Sequence, residues 1–174
     1  MTALWRVGMQ GETPKGRNPM RLTIRTDLAS RVLMYCAAST GQVVRSSDIA
    51  HACNASGNHL AQVINQLQQN GFVITQRGRA GGLQLSRPAA EISIGQVFRV
   101  FEATTPFAEC FDAATNSCPL TGHCRMRGYL ARALEAFYHE LDLVTLDDLV
   151  RGNCGLAGLL SLRPDAAVAC RMSA

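Results

Sequence analysis

Residues 57–85 constrain the fold more than any other stretch of the chain. Leu60, Val63, Ile64 and Leu67 recur at intervals of three and four, which gathers them on one face of a helix over about 57–70. The opposite face carries Asn58, Gln62, Asn65, Gln66 and Gln69, and Gly71 stands where a helix C-cap belongs. Directly afterwards Phe72 and Ile74, then Leu83 and Leu85, alternate in two short strands. Between them lies QRGRAGG at 76–82, with glycines that permit a sharp reversal and Arg77 and Arg79 at the tip. A polar-faced helix followed at once by a basic-tipped hairpin predicts the recognition helix and wing of a winged helix.

The preceding residues fit that reading. Thr26 is placed to cap a helix reaching about Ser39, with Leu28, Val32, Leu33 and Cys36 on one stripe. Ser46 or Ser47 is placed to cap a short helix over about 48–53, and Asn54-Ala55-Ser56 makes a tight connection. Ser56, Asn58, His59 and Gln62 are then candidates to meet base edges, because Asn and Gln can pair with adenine through two hydrogen bonds. Arg77 and Arg79 are candidates for phosphates or a narrow minor groove, and Arg25 and Arg31 for further backbone contacts. Charge agrees. Residues 1–87 hold ten Arg or Lys against three acids, a balance of +7, whereas residues 88–174 hold seven Arg against ten acids, a balance of −3. A basic N-terminal half suits a polyanion, with double-stranded DNA as the default partner.

Downstream, Ile92, Ile94, Val97, Phe98 and Phe101 predict a helix over 94–103. Residues 104–122 have no sustained period and hold Pro106, Asn116, Pro119 and Gly122, so they read as a long loop. A helix over 123–143 follows, with Tyr129, Leu130, Ala133, Leu134, Phe137, Tyr138 and Leu141 in one wide stripe. At about 30 Å it exceeds what a small winged helix can cover, which predicts pairing with the same helix of a second subunit. Thr145 and Asp148 form a capping box for a last short helix over 146–151. The fold class is mainly α with a small β wing: a winged helix-turn-helix plus a long dimerisation helix. The expected divisions are a disordered extension at 1–19, the DNA-binding domain at 20–103, and a cysteine loop at 104–124. The dimerisation and terminal helices follow at 125–155, and a weakly ordered tail at 156–174.

Seven cysteines, an odd number, fit a disulfide framework poorly. Cys36 and Cys53 sit on apolar helix faces and read as buried and inert; Cys154 and Cys170 have no partners at useful spacing. Cys110, Cys118 and Cys124 crowd into fifteen residues as Cys110-x7-Cys118-x5-Cys124. Three thiolates favour zinc, copper(I) or an iron–sulfur centre. The tight Cys-x2-Cys unit usual in structural zinc sites does not occur, and the wide spacing is easier to reconcile with a cluster. His123 or an oxygen donor from elsewhere could fill a fourth position, and a redox disulfide between two of the three is the other option. No apolar run reaches the roughly 18 residues needed to cross a membrane, and no signal peptide is visible, so a cytoplasmic chain is expected. No phosphate loop, nucleophile elbow or paired catalytic carboxylates suggest an enzyme.

Over about residues 20–155 the sequence resembles the winged-helix iron–sulfur transcriptional regulators. The likeness rests on MRLTIRTDLASRVLMY at 20–35, NHLAQVINQLQQNGFVITQRGRAGGLQLSRP at 58–88, ISIGQVFRVFE at 92–102 and the loop ending CPLTGHCRMR. It implies a homodimer with crossing long helices, a cluster held by Cys110, Cys118 and Cys124, and operator contacts from the recognition helix and wing. On the nitric-oxide-sensing branch the fourth ligand is an aspartate from the first helix of the other subunit, and Asp27 in RTDLASR matches it. The cluster-assembly branch instead has a histidine three residues after the third cysteine, where this chain has Arg127. The x7 gap exceeds the usual four or five, so the loop is expected to bulge. A [4Fe–4S] cluster is favoured, with [2Fe–2S] as the contender. The resemblance thus implies a repressor of nitric oxide detoxification or denitrification genes, released from DNA when nitric oxide reacts with the cluster. The alternatives are a regulator sensing iron–sulfur or redox status through the same cysteines, and a structural zinc protein.

Overall fold

The computed structural model describes residues 22–39, 41–78 and 81–160. The extension at 1–19, Arg79, the tail from Arg163 and Cys170 lie outside the described residues.

The first helix, α1, spans Ile24–Ala38 and is capped by Thr23, whose hydroxyl accepts from the Thr26 N–H at 3.2 Å. The cap therefore stands three residues before the position expected from sequence. Thr26 is drawn fully into the interior, where its hydroxyl donates to Glu102 Oε1. Leu28, Ala29, Val32, Leu33 and Cys36 form the buried stripe. The second helix, α2, spans Ser46–Ala52, beginning before the expected 48, with Arg45 as an N-cap that makes no side-chain cap bond. Ser46 is thus inside the helix, and the Ser47 hydroxyl bonds Asp48 Oδ1 at 3.1 Å instead of capping. Asn54, at φ 49°, turns the chain left-handedly into α3, Gly57–Gln69. Ser56 caps α3 by accepting from the His59 N–H, and Leu60, Val63 and Leu67 point inward.

Strands β1, Val73–Gln76, and β2, Gly82–Leu85, pair antiparallel with Val73 opposite Leu85 and Gln76 opposite Gly82. Here the expected alternation is corrected. Phe72 and Val73 are both buried, and Ile74 is 45% exposed. Phe72 precedes the strand, held by its N–H on the Leu67 carbonyl at 2.9 Å, so β1 leaves the core after its first residue and runs out into the wing. Val44 bridges Leu83 through two backbone hydrogen bonds of 2.9 and 2.8 Å, rooting the wing in the segment before α2.

Helix α4, Ile94–Glu102, buries Ile94, Val97 and Phe101. Helix α5, Arg125–Asp142, packs on α4 and starts at Cys124. Their close approach needs Gly95: a Cβ there would lie 2.8 Å from the Asp142 backbone nitrogen. Helix α6, Leu146–Val150, carries the expected capping box of Thr145 and Asp148, and Leu146 is fully buried in the core. A further helix, α7 at Cys154–Leu159, had no periodic signal in the sequence. One core joins these elements, with Val32, Leu33, Ile49, Leu60, Val97 and Leu146 at its centre. Helix α5 stands apart: none of its residues is buried, and Met126 and Tyr129 are each 64% exposed.

Candidate nucleic-acid interface and metal centre

The outer face of α3 presents exposed Asn58 and Gln62 with half-buried His59 between them in sequence. Ser56, also exposed, has its hydroxyl committed to the cap. A cleft of about 710 Å³ is lined by Ala61 and Asn65 of α3, by Arg45 and Ser46 at the start of α2, and by Thr75 and Gln76 of the wing. Thr75 Oγ1 bonds Gln68 Oε1 at 2.8 Å and ties the wing to α3. Gly82 permits the close root: a Cβ there would meet the Val44 carbonyl oxygen at 2.3 Å. Arg77 is exposed on the wing and Arg25 on α1. Arg31 is more occupied, since its guanidinium pairs with Asp27 and donates to the Cys53 carbonyl at 3.3 Å. Arg45 was not among the sequence candidates. Its position before two serines at a helix entrance is the available signal.

The cysteine loop is built from short-range hydrogen bonds. Cys110 lies in a 3₁₀ turn, Glu109–Phe111, braced by the edge-on ring of Phe107 at 6.1 Å from that of Phe111. Asp112 accepts from the Ala114 N–H at 2.9 Å and the Thr115 hydroxyl at 2.7 Å, closing the expected bulge on itself. The Cys118 N–H donates to Asn116 Oδ1 at 3.1 Å, and the Thr121 hydroxyl donates to the Cys118 carbonyl at 2.8 Å. Cys124 opens α5 without a side-chain cap bond. A cleft of about 500 Å³ beside it is lined by Phe111, His123, Arg125, Arg127 and Gly128.

All three loop thiols are free and half-buried. Cys36 and Cys53 are buried, as expected; burial pushes the Cys36 thiol up to about 12, which keeps it protonated and inert. Burial raises the Cys53 thiol too, against the nearby Arg31 charge. Among the described residues, no three His, Cys, Asp or Glu side chains gather into a group that could hold a metal ion. The donor chemistry of the loop nonetheless suits an iron–sulfur cluster: three soft, free thiols in one connection. Asp27 is on the exposed face of α1, its side chain 52% accessible and paired with Arg31 rather than with a loop residue.

Residues 22–152 match the model of the Rrf2 family, described as "Iron-dependent Transcriptional regulator". The chain belongs to the Rrf2 family. Among similar proteins is Protein aau3 of Rhizobium meliloti (strain 1021), 42% identical over 143 residues, which span 82% of this chain and 93% of that one. The HTH-type transcriptional regulator NsrR of Geobacillus kaustophilus (strain HTA426) is 41% identical over 83% of this chain and 99% of its own. Among solved structures, the oxidized form of Staphylococcus aureus CymR superposes with a TM-score of 0.59 at 26% identity, covering 75% of this chain and 96% of that one. The structure of T. potens IscR shares the fold, with a TM-score of 0.62 at 22% identity over 76% and 88% of the two chains. This Rrf2 chain is thus a winged-helix, DNA-binding transcriptional regulator similar to NsrR, and not an enzyme. No helix among the described residues is long and apolar enough to cross a membrane.

Proposed function

We propose that the chain is a homodimeric iron–sulfur repressor, working in the cytoplasm, whose hold on a palindromic operator is relieved by nitric oxide. One observation carries this reading: the loop with three free thiols runs straight into α5, a helix packed on α4 along one side that leaves Met126 and Tyr129 exposed. Thiol chemistry and subunit pairing therefore share one element. The several relatives named NsrR support the choice of signal.

Cys110, Cys118 and Cys124 would hold the cluster, [4Fe–4S] ahead of [2Fe–2S]. Asp27 of the partner subunit would complete it; the exposed place of Asp27 on α1 suits a ligand given to another copy. When bound, the cluster supplies iron open to a small diatomic molecule. The chain's own groups read DNA. Asn58, His59 and Gln62 would meet base edges, the cap at Ser56 fixes the start of the reading helix, and Arg25, Arg31, Arg77 and Arg79 would meet the sugar–phosphate backbone. Paired α5 helices would set the separation of the two reading heads, about 34 Å for half-sites one turn apart.

The test is anaerobic purification of the full chain, with iron and sulfide assays, absorbance, and operator titration before and after stoichiometric nitric oxide. Bound iron and sulfide, bleaching and loss of DNA affinity are expected. Equal operator affinity for the apo, loaded and nitric-oxide-treated dimer would overturn the sensing claim.

A further inference from the structure

We propose that Glu109 is a positioning residue that closes the seven-residue gap, so that Cys110 and Cys118 reach the cluster as a pre-set pair. The inference rests on the cluster reading above and deepens it. Seven intervening residues, if extended, would allow two sulfurs to stand more than about 20 Å apart. The chain between them is folded instead. Glu109 Oε1 accepts from both the N–H and the hydroxyl of Ser117, at 2.7 and 2.6 Å. Each of these two residues immediately precedes a cysteine, so one carboxylate oxygen ties the backbone just before Cys110 to the backbone just before Cys118.

The surplus chain is handled separately. Residues 112–116 close on themselves, with the Asn116 N–H on the Asp112 carbonyl at 3.0 Å in addition to the Asp112 side-chain bonds. Asn116 and Thr121 then hold the peptide groups of Cys118 from both sides. None of these bonds uses a sulfur atom, so the whole device leaves the thiols available as ligands. Charge-assisted bonds such as those to Glu109 are shorter and stronger than neutral ones, and outer partners of this kind fix the orientation of metal ligands.

The test uses the full-length dimer with Glu109→Ala, Glu109→Gln and Ser117→Ala. In the apo protein, limited diamide takes up the two electrons and two protons released as two thiols join, and peptide mapping counts which cysteines pair. Wild type is expected to favour Cys110–Cys118 over either pairing with Cys124. Glu109→Ala should lose that preference, Glu109→Gln should restore most of it by keeping the acceptor oxygen, and Ser117→Ala should fall between. In the loaded dimer, the half-life of the cluster against a ferrous chelator should shorten about tenfold in Glu109→Ala, while thermal stability and apo-dimer assembly stay near wild type. An unchanged disulfide pattern and half-life in Glu109→Ala would overturn the proposal. So would a loss that glutamine fails to rescue and that tracks general unfolding. A wild-type dimer that takes up no iron and sulfide would sink the regulatory reading and the cluster half of this one, whereas the apo disulfide pattern tests the clamp by itself.

Discussion

The hydroxyl of Thr26, fully shielded from solvent, donates to Glu102 Oε1, and the Thr23 N–H donates to the same oxygen at 2.8 Å. The last residue of α4, where the cysteine loop departs, thereby grips the first turn of α1, which carries Asp27. A carboxylate at a helix N-terminus also meets the favourable end of the helix dipole.

Removing that grip should be costly. Glu102→Ala leaves a buried hydroxyl without its long-range partner and should destabilise the fold by about 1–3 kcal/mol. Glu102→Gln keeps an acceptor oxygen and should lose less. Urea unfolding of both variants measures the difference; equal midpoints for Ala and wild type would show that the contact contributes nothing.

Arg45, at the entrance of α2, lines the cleft beside α3, and Arg77 is exposed on the wing. If each neutralises one phosphate, each Ala variant should lower the slope of log affinity against log salt by about 1, with little change in sequence preference. Titration of operator and scrambled duplex at several salt concentrations gives both quantities. As a control, Gln42→Ala, exposed and outside the cleft lining, should leave the slope unchanged.

Tyr129 and Met126 lie exposed on α5, with the Arg132 guanidinium 4.7 Å from the Tyr129 ring centre. Placing a charge on this face by Tyr129→Glu should raise the dimer dissociation constant at least about tenfold, the equivalent of 1.4 kcal/mol. Sedimentation across a concentration series reads this directly. A dimer as tight as wild type would move the interface off this part of α5.

The α4–α5 contact should also respond to pH. Arg99 hydrogen-bonds Asp142 and holds its carboxyl below the ordinary aspartate range, with Ser93 and the His139 charge acting in the same direction. A depressed folded value means that this contribution is complete above the ordinary aspartate value and is lost as pH falls through the folded one. Asp142→Asn should therefore be less stable than wild type near neutrality, and the gap should close in acid. Both groups are solvent-accessible, so salt should shrink the gap as well. Melting temperatures from pH 7 down to the acid limit of solubility test the sign.

What the sequence determined by itself was carried by near neighbours along the chain. The inward stripe of Leu60, Val63 and Leu67, the turn glycine Gly71, the basic wing and the Thr145–Asp148 capping box depend on spacings of a few residues, which a linear reading sees. The crowding of Cys110, Cys118 and Cys124 was equally legible. Only the tertiary structure decided matters that join distant segments. Thr26 left the cap position because a carboxylate 76 residues away drew its hydroxyl inward. Ile74 was freed to solvent because Val44 and Leu83 root the hairpin before it projects. Arg31 donated to the Cys53 carbonyl, 22 residues away, and Glu109 met Ser117 across the bulge. Periodicity reports which face of an element is apolar, but polar side chains choose partners by distance in space, and that distance exists only once the chain has folded.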